Sequence, residues 1–217
     1  MKCFFKGFVI TLLLIISVQS VHASPQMAII RNRYLKSGNF NFLKNQTKIR
    51  VEYDWDSVSV AKYNRKGDIV QTEEEYIKEN VQKKNNKKLG SGNLWLEKWK
   101  SIRKSRYEPA FELALNDMAE KHLPTTFSSS YHETQYTLIL KTTYIEVEKY
   151  GYIYVTCTFV ESGDHSKILA EFVIERLYDD MPAKTNQIRL ESGYYDTGNV
   201  LIREIIEFNK KALKSKK

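Results

Sequence analysis

YTLILKTTYIEV (residues 136–147), YIYVTCTFV (152–160) and KILAEFVIERL (167–177) follow one another with only short polar gaps between them. Each run is rich in β-branched and aromatic residues and largely alternates apolar with polar side chains, the mark of a half-buried strand. Lys149-Tyr150-Gly151 and Ser162-Gly163-Asp164 fill the gaps with turn residues, so the three runs read as an antiparallel meander. In the middle run Ile153, Val155, Cys157 and Phe159 share one face, and Tyr152, Tyr154, Thr156 and Thr158 share the other. In the third, Ile168, Ala170, Phe172 and Ile174 are expected inward, with Lys167, Glu171 and Glu175 outward.

Working outward, KIRVEYDWD (48–56) alternates Ile49, Val51, Tyr53 and Trp55 with charged residues. It predicts one more strand, which Val58 and Val60 extend past a bend. A turn at Gly67-Asp68 leads to a helix opened by Thr72 with Glu75 three residues on, a capping box. Glu73, Glu74 and Glu75 crowd its first turn, and Lys83, Lys84, Lys87 and Lys88 its last, which complements the helix dipole. After the Gly90-Ser91-Gly92 break, Trp95, Trp99 and Ile102 fall on one helical face. Pro109 restarts the helix, and Phe111, Leu115, Met118 and His122 continue at helical spacing. Residues 178–195 read as a loop. A final helix is expected from about residues 196–199, buried through Leu201, Ile205, Phe208 and Ala212. The order is strand, two helices, three-strand meander, helix. One amphipathic sheet needs helices on its apolar face, so the expected fold class is α+β, a two-layer sandwich with a mainly antiparallel sheet.

The N-terminus carries a different signal. Lys2 and Lys6 precede an apolar core, Phe8 to Val18, and Val21-His22-Ala23 offers small residues at a cleavage point. This is the pattern of a secretory signal peptide, and the apolar run is shorter than the ~20 residues a membrane span needs. The expected organisation is a signal peptide at 1–23, an irregular segment at 24–47, a single α+β domain at 48–213 and a basic tail at 214–217. Cleavage after Ala23 would leave 194 of the 217 residues, with a net +6 from 32 basic against 26 acidic residues. The expected location is outside the cytoplasm, in the periplasm or at the outer membrane, with no membrane span after cleavage. There, anionic or glycan polymers and envelope proteins are fitter partners for a basic chain than nucleic acid.

Cys3 departs with the leader, so Cys157 stands alone and reads as a buried strand residue. His122, His132 and His165 show no paired metal-ligand spacing, and no C-x-x-C occurs. No G-x-S-x-G elbow and no glycine-rich phosphate loop is present. No metal, cofactor or catalytic residue is therefore expected. Carboxylates are the one enzymatic route left open. Asp54 and Asp56 project from one strand face and Glu146 stands near a strand end, so a hydrolase acting on cell-wall or glycan substrate is the alternative reading. The lysines at 83, 84, 87 and 88 leave a third, binding of an anionic polymer. The Tyr152, Tyr154, Thr156 and Thr158 face is the candidate binding surface, since tyrosine combines rigid area with a polar tip.

GNFNFLKNQTKIRVEYDW (38–55), the Trp95/Trp99 helix, Pro109 with Phe111, and YTLILKTTYIE (136–146) resemble a group of exported bacterial α+β proteins of uncharacterised function. In that group a turn containing Pro-Gly often follows the KTTYIE strand, whereas this chain reads Glu146-Val-Glu-Lys-Tyr-Gly151. The element order is more remotely similar to small periplasmic domains of envelope accessory proteins, of the curli-secretion or cell-wall-synthase-activator type. The resemblance implies an exported, non-catalytic envelope protein acting as a binding or scaffold module, and it transfers no catalytic residue.

Overall fold

A computed structural model describes residues 29–62, 67, 69–148, 151–177 and 186–214. Residues 1–28, 63–66, 68, 149–150, 178–185 and 215–217 lie outside them, and with them the expected leader at 1–23, parts of the expected turns and loop, and most of the expected basic tail. The elements are β1 (Ile29–Gly38), β2 (Lys48–Asp54), β3 (Ser59–Lys62), β4 (Ile69–Thr72), α1 (Glu73–Lys87), α2 (Ser91–Ile102), α3 (Glu108–His122), β5 (Thr126–Ser128), β6 (Tyr136–Glu146), β7 (Ile153–Glu161), β8 (Asp164–Leu177) and α4 (Asn186–Lys214). This is the expected α+β class: one sheet with helices layered on one of its faces.

Among the described residues the sheet runs β1-β8-β7-β6-β2-β5, and β3 pairs with both β6 and β4. The meander is antiparallel as expected, and β1 adds to it antiparallel through β8. Beyond β6 parallel pairs enter: β2 and β3 both run parallel to β6, and β5 runs parallel to β2, while β4 pairs antiparallel with β3. The cause is the connection. A strand that leaves through α1, α2 and α3 and returns beside itself arrives parallel, because a tight hairpin is no longer available.

Three expectations are corrected. Residues 29–38, assigned to the irregular 24–47 segment, form a ten-residue edge strand. Two register shifts, between Ile30 and Asn32 and between Leu35 and Ser37, break its alternation and hide it from a period-two reading. The last helix begins at Asn186, not near 196. Gly193 and Gly198 resemble breakers in sequence but serve close packing. A Cβ on Gly193 would lie 2.4 Å from Ile153 Cδ1, and one on Gly198 would lie 2.6 Å from the Phe111 carbonyl oxygen. Ile168, expected inward, is 54% exposed. A register shift between Phe159 and Val160 pairs Ile168 with Val160 and moves it to the other face.

The core lies between the sheet and α3 and α4. Ile49 and Val51 of β2, Leu138 and Leu140 of β6, Ile153, Val155, Cys157 and Phe159 of β7, and Ala170, Phe172 and Ile174 of β8 are all buried. They meet Phe111 and Leu115 of α3 and Tyr194, Leu201 and Ile205 of α4. Each fully buried side chain of this size contributes roughly 1.5–3 kcal/mol over its exposed state. The Tyr194 hydroxyl and the Thr142 hydroxyl satisfy each other at 2.9 Å inside this layer. Cys157 is fully buried, as its strand position predicts, and burial pushes its thiol pKa up, which leaves it protonated and inert.

α1 carries the expected capping box. Thr72 N donates to Glu75 Oε2 at 2.9 Å and Glu75 N donates to Thr72 Oγ1 at 3.2 Å. Its base is tied to the rest of the fold. Glu73 accepts from Trp99 Nε1 at 2.6 Å and pairs with Arg103, while Glu79 pairs with Lys62. Between α2 and α3 the chain takes a π turn, Arg103–Tyr107. Pro109 at the start of α3 lacks the N–H an uninterrupted helix would use there.

Candidate binding face

The helices cover one face of the sheet, and the strands' alternate residues form the other. Three rows cross it. One runs Glu52, Ile139, Thr158, Glu171. The next runs Asp54, Lys141, Thr156, Val173, Tyr34. The third runs Tyr144, Tyr154, Glu175, Asn32. Thr156, Thr158 and Tyr154 thus lie on one surface, with Tyr152 just beyond the start of β7. All four are half-buried, shielded by their strand neighbours. Tyr144 and Tyr154 stack with centroids 4.8 Å apart, and Tyr152 meets Tyr154 edge-on at 6.5 Å. Such aromatic pairs contribute about 0.5–1.5 kcal/mol beyond their buried area.

The charges of this face are matched within it. Lys141 Nζ lies 2.6 Å from Asp54, Lys36 Nζ 2.8 Å from Glu171, Arg50 Nε 3.2 Å from Glu52, and Asn32 Nδ2 donates to Glu175 at 2.7 Å. Burial opposes ionisation of Asp54, but the Lys141 ammonium and the Asp56 N–H outweigh it and hold the carboxyl below its usual pKa. Three cations stand against four acids, so the chain's positive excess is carried elsewhere. What remains open to a ligand is apolar and hydroxylic: Ile139, Val173, the threonines and the tyrosines.

The acids proposed for hydrolysis do not converge. Asp54 is spent on Lys141 and on the Asp56 N–H at 2.8 Å. Glu146 is fully buried and accepts from Glu148 N at 2.6 Å and Gly151 N at 2.7 Å, closing the turn between β6 and β7. It lies five residues along β6 from Lys141, roughly 15 Å by strand rise, whereas paired carboxylates of a glycosidase stand about 5–10 Å apart. A groove of ≈ 670 Å³ between α3 and α4 is lined by Arg106, Pro109, Leu113, Ile188, Glu191 and Tyr195 among others, and none of the three acids reaches it. Arg106 closes on Glu191 across it at 3.2 Å. Among the described residues no three metal-ligating side chains cluster. His122, His132 and His165 are separate and exposed. No described helix is long and apolar enough to cross a membrane.

Sequence reasoning missed Tyr144, Ile139 and Val173 as members of the face. The register shift between Thr142 and Tyr144 puts Tyr144 opposite Tyr154. The mid-strand Lys-Thr-Thr interruption is its only trace in sequence.

No family model matches the chain, and no curated protein is similar to it. Several solved structures overlap with it. An uncharacterized protein does so with a TM-score of 0.40 at 9% identity, over 75% of this chain and 94% of that one. XCC0632 from Xanthomonas campestris, of family DUF330, follows with a TM-score of 0.37 at 10% identity, over 82% and 95%. The PelC dodecamer from Paraburkholderia phytofirmans gives 0.34 at 9% identity, over 80% and 96%.

Proposed function

We propose that this chain is a non-catalytic binding module of the cell envelope, exported through its 1–23 segment, which presents the uncovered sheet face to an envelope protein or a glycan. The observation that carries the reading is the one-sided layering. The described helices lie on one face, and the other is left with stacked tyrosines, the two threonines of β7 and internally neutralised charge. A surface of this kind recognises by shape, stacking and hydroxyl hydrogen bonds, not by long-range attraction. Sugars and protein surfaces both suit it. Export and envelope location belong to the same proposal and draw on the N-terminal pattern of Lys2, Lys6 and the apolar run at 8–18.

The test is site-specific photocrosslinking in intact cells. A photoreactive residue replaces Thr156 or Thr158 on the uncovered face. In a control it replaces Leu113, which is 55% exposed on α3. Discrete adducts from the two threonine positions and not from Leu113 support the reading, and protease or glycosidase sensitivity identifies the class of partner. Adducts from Leu113 alone, or identical adducts from all three positions, overturn it.

A further inference from the structure

We infer that the tip of the α1–α2 hairpin is a docking point for an anionic lipid bilayer. The base of the hairpin is fastened to the fold through Glu73, Arg103, Trp99 and the Lys62–Glu79 pair. Among the described residues, the hydrogen bonds of its far end join α1 to α2. Ser91 Oγ donates to the carbonyls of Lys84 and Lys88, both at 2.8 Å, and Gly92 N donates to Asn85 Oδ1 at 2.8 Å. Gly92 is needed for that closure, since a Cβ there would lie 2.5 Å from the Val81 carbonyl oxygen. The result is a closed, stiff turn between two helices that buries no residue of α1.

Two features coincide at this tip. Residues 81–98 carry Lys83, Lys84, Lys87, Lys88 and Lys98 against the single acid Glu97, so the positive excess missing from the sheet face is gathered here. Beside the lysines, Leu89 is 92% exposed and Leu94 is 69% exposed. Neither leucine is used by the fold. The rise of 1.5 Å per residue places the last two turns of α1 and the first of α2 within about 10 Å of the turn. That is about a Debye length, so the lysines act together on a charged surface the tip touches. Lys84 lies 5.9 Å over the Trp95 ring, an amphipathic pair suited to the boundary between headgroups and acyl chains.

Charge alone would fit a soluble polyphosphate as well as a lipid headgroup. The leucines decide between them. An exposed leucine gains nothing from a polyphosphate but gains burial when it enters the acyl boundary, while lysine stems reach back to the headgroups. The basic run at the end of α1 therefore has a use beyond its complement to the helix dipole. This inference does not depend on the uncovered sheet face, because the hairpin belongs to the helix layer.

The experiment is co-sedimentation of the chain, as recovered from an exporting host, with vesicles of phosphatidylglycerol and, separately, of phosphatidylcholine. A retained leader, whose Lys2 and Lys6 also favour the anionic lipid, contributes equally to native and variant chains, so the loss on substitution in the hairpin reports the tip. The expected result is preferential binding to phosphatidylglycerol. It should weaken about tenfold or more when Lys83, Lys84, Lys87 and Lys88 are all replaced by glutamine. It should also weaken about tenfold when Leu89→Ser and Leu94→Ser are combined, with the fold unchanged by circular dichroism. Equal binding to the two lipids overturns the inference. So does a leucine double variant that binds phosphatidylglycerol like the native chain, or a soluble polyphosphate that competes fully while the leucines make no difference; both would assign the lysines to a soluble polyanion.

Discussion

The same strands build two unlike faces. Toward the helices, Leu138, Leu140, Ile153, Val155, Phe159, Phe172 and Ile174 are at most 2% exposed. Away from them, Ile139, Lys141, Tyr154, Thr156, Thr158 and Val173 are each half-buried, one residue out of phase. The covered face is constrained by packing, where one lost methylene is felt. The uncovered face carries no such demand, yet it is not a generic solvated surface. Its ions are matched at short range and its tyrosines are stacked, which leaves a nearly neutral surface. Stability and contact are thus divided between the two sides of one sheet.

The largest expected effect tests that division. Phe111→Ala, on α3 against the covered face, should cost about 3–5 kcal/mol in urea unfolding. Thr156→Ala on the uncovered face should stay within about 0.5 kcal/mol. Comparable losses would mean that both faces are packed. Next is Glu146, buried at the turn between β6 and β7. Removing an acceptor that serves two backbone N–H groups, by Glu146→Ala, should cost about 2–4 kcal/mol. An unchanged unfolding midpoint would return Glu146 to the list of available acids. Smaller still is Tyr144→Ala, expected to cost about 0.5–1.5 kcal/mol through the lost stack with Tyr154. It should nevertheless reduce crosslinking from Thr156, and loss of stability without loss of crosslinking would separate the stack from the contact.

The smallest effects carry opposite pH signs on the two sides. Glu108 lies at the covered side and accepts from Trp55 Nε1 at 3.2 Å. Burial raises its carboxyl above the ordinary pKa, against the pull of Trp55 and Lys104. A raised acid favours the folded state below its unfolded pKa and loses that contribution as pH rises through the folded one. Glu108→Gln should therefore raise the melting temperature at neutral pH and leave it unchanged below about pH 4. Asp54 on the uncovered face is lowered, so its contribution is present at neutral pH and fades as pH falls through its folded pKa. Asp54→Asn should lower the melting temperature at neutral pH, and the gap should close in acid. The same sign at both positions in thermal melts across pH would contradict the assignment of their surroundings.

Much of this architecture is legible in local pattern. The meander, the Thr72–Glu75 capping box and the burial of Cys157 follow from alternation and capping alone. The face shared by Tyr152, Tyr154, Thr156 and Thr158 follows from period two. What is not legible is non-local. Two register shifts scramble the alternation of β1, and one more sends Ile168 outward. Gly193 and Gly198 look like helix breakers because their reason, the approach of Ile153 and Phe111, lies elsewhere in the chain. The parallel pairing of β2 with β6 depends on a crossover through three helices. At the candidate site, sequence groups Asp54 and Asp56 with Glu146 as possible acids, but only the fold shows that Lys141 occupies one and backbone N–H groups occupy another.

The most direct test of the uncovered face is hydroxyl-radical footprinting of its tyrosines, comparing purified protein with intact cells. Tyr195 on α4 serves as the internal reference. The account predicts that Tyr144, Tyr152 and Tyr154 are labelled in the purified protein and protected in cells, with Tyr195 unchanged. Equal labelling of all four in both settings would contradict it, because a face that meets nothing in the cell is not a binding face.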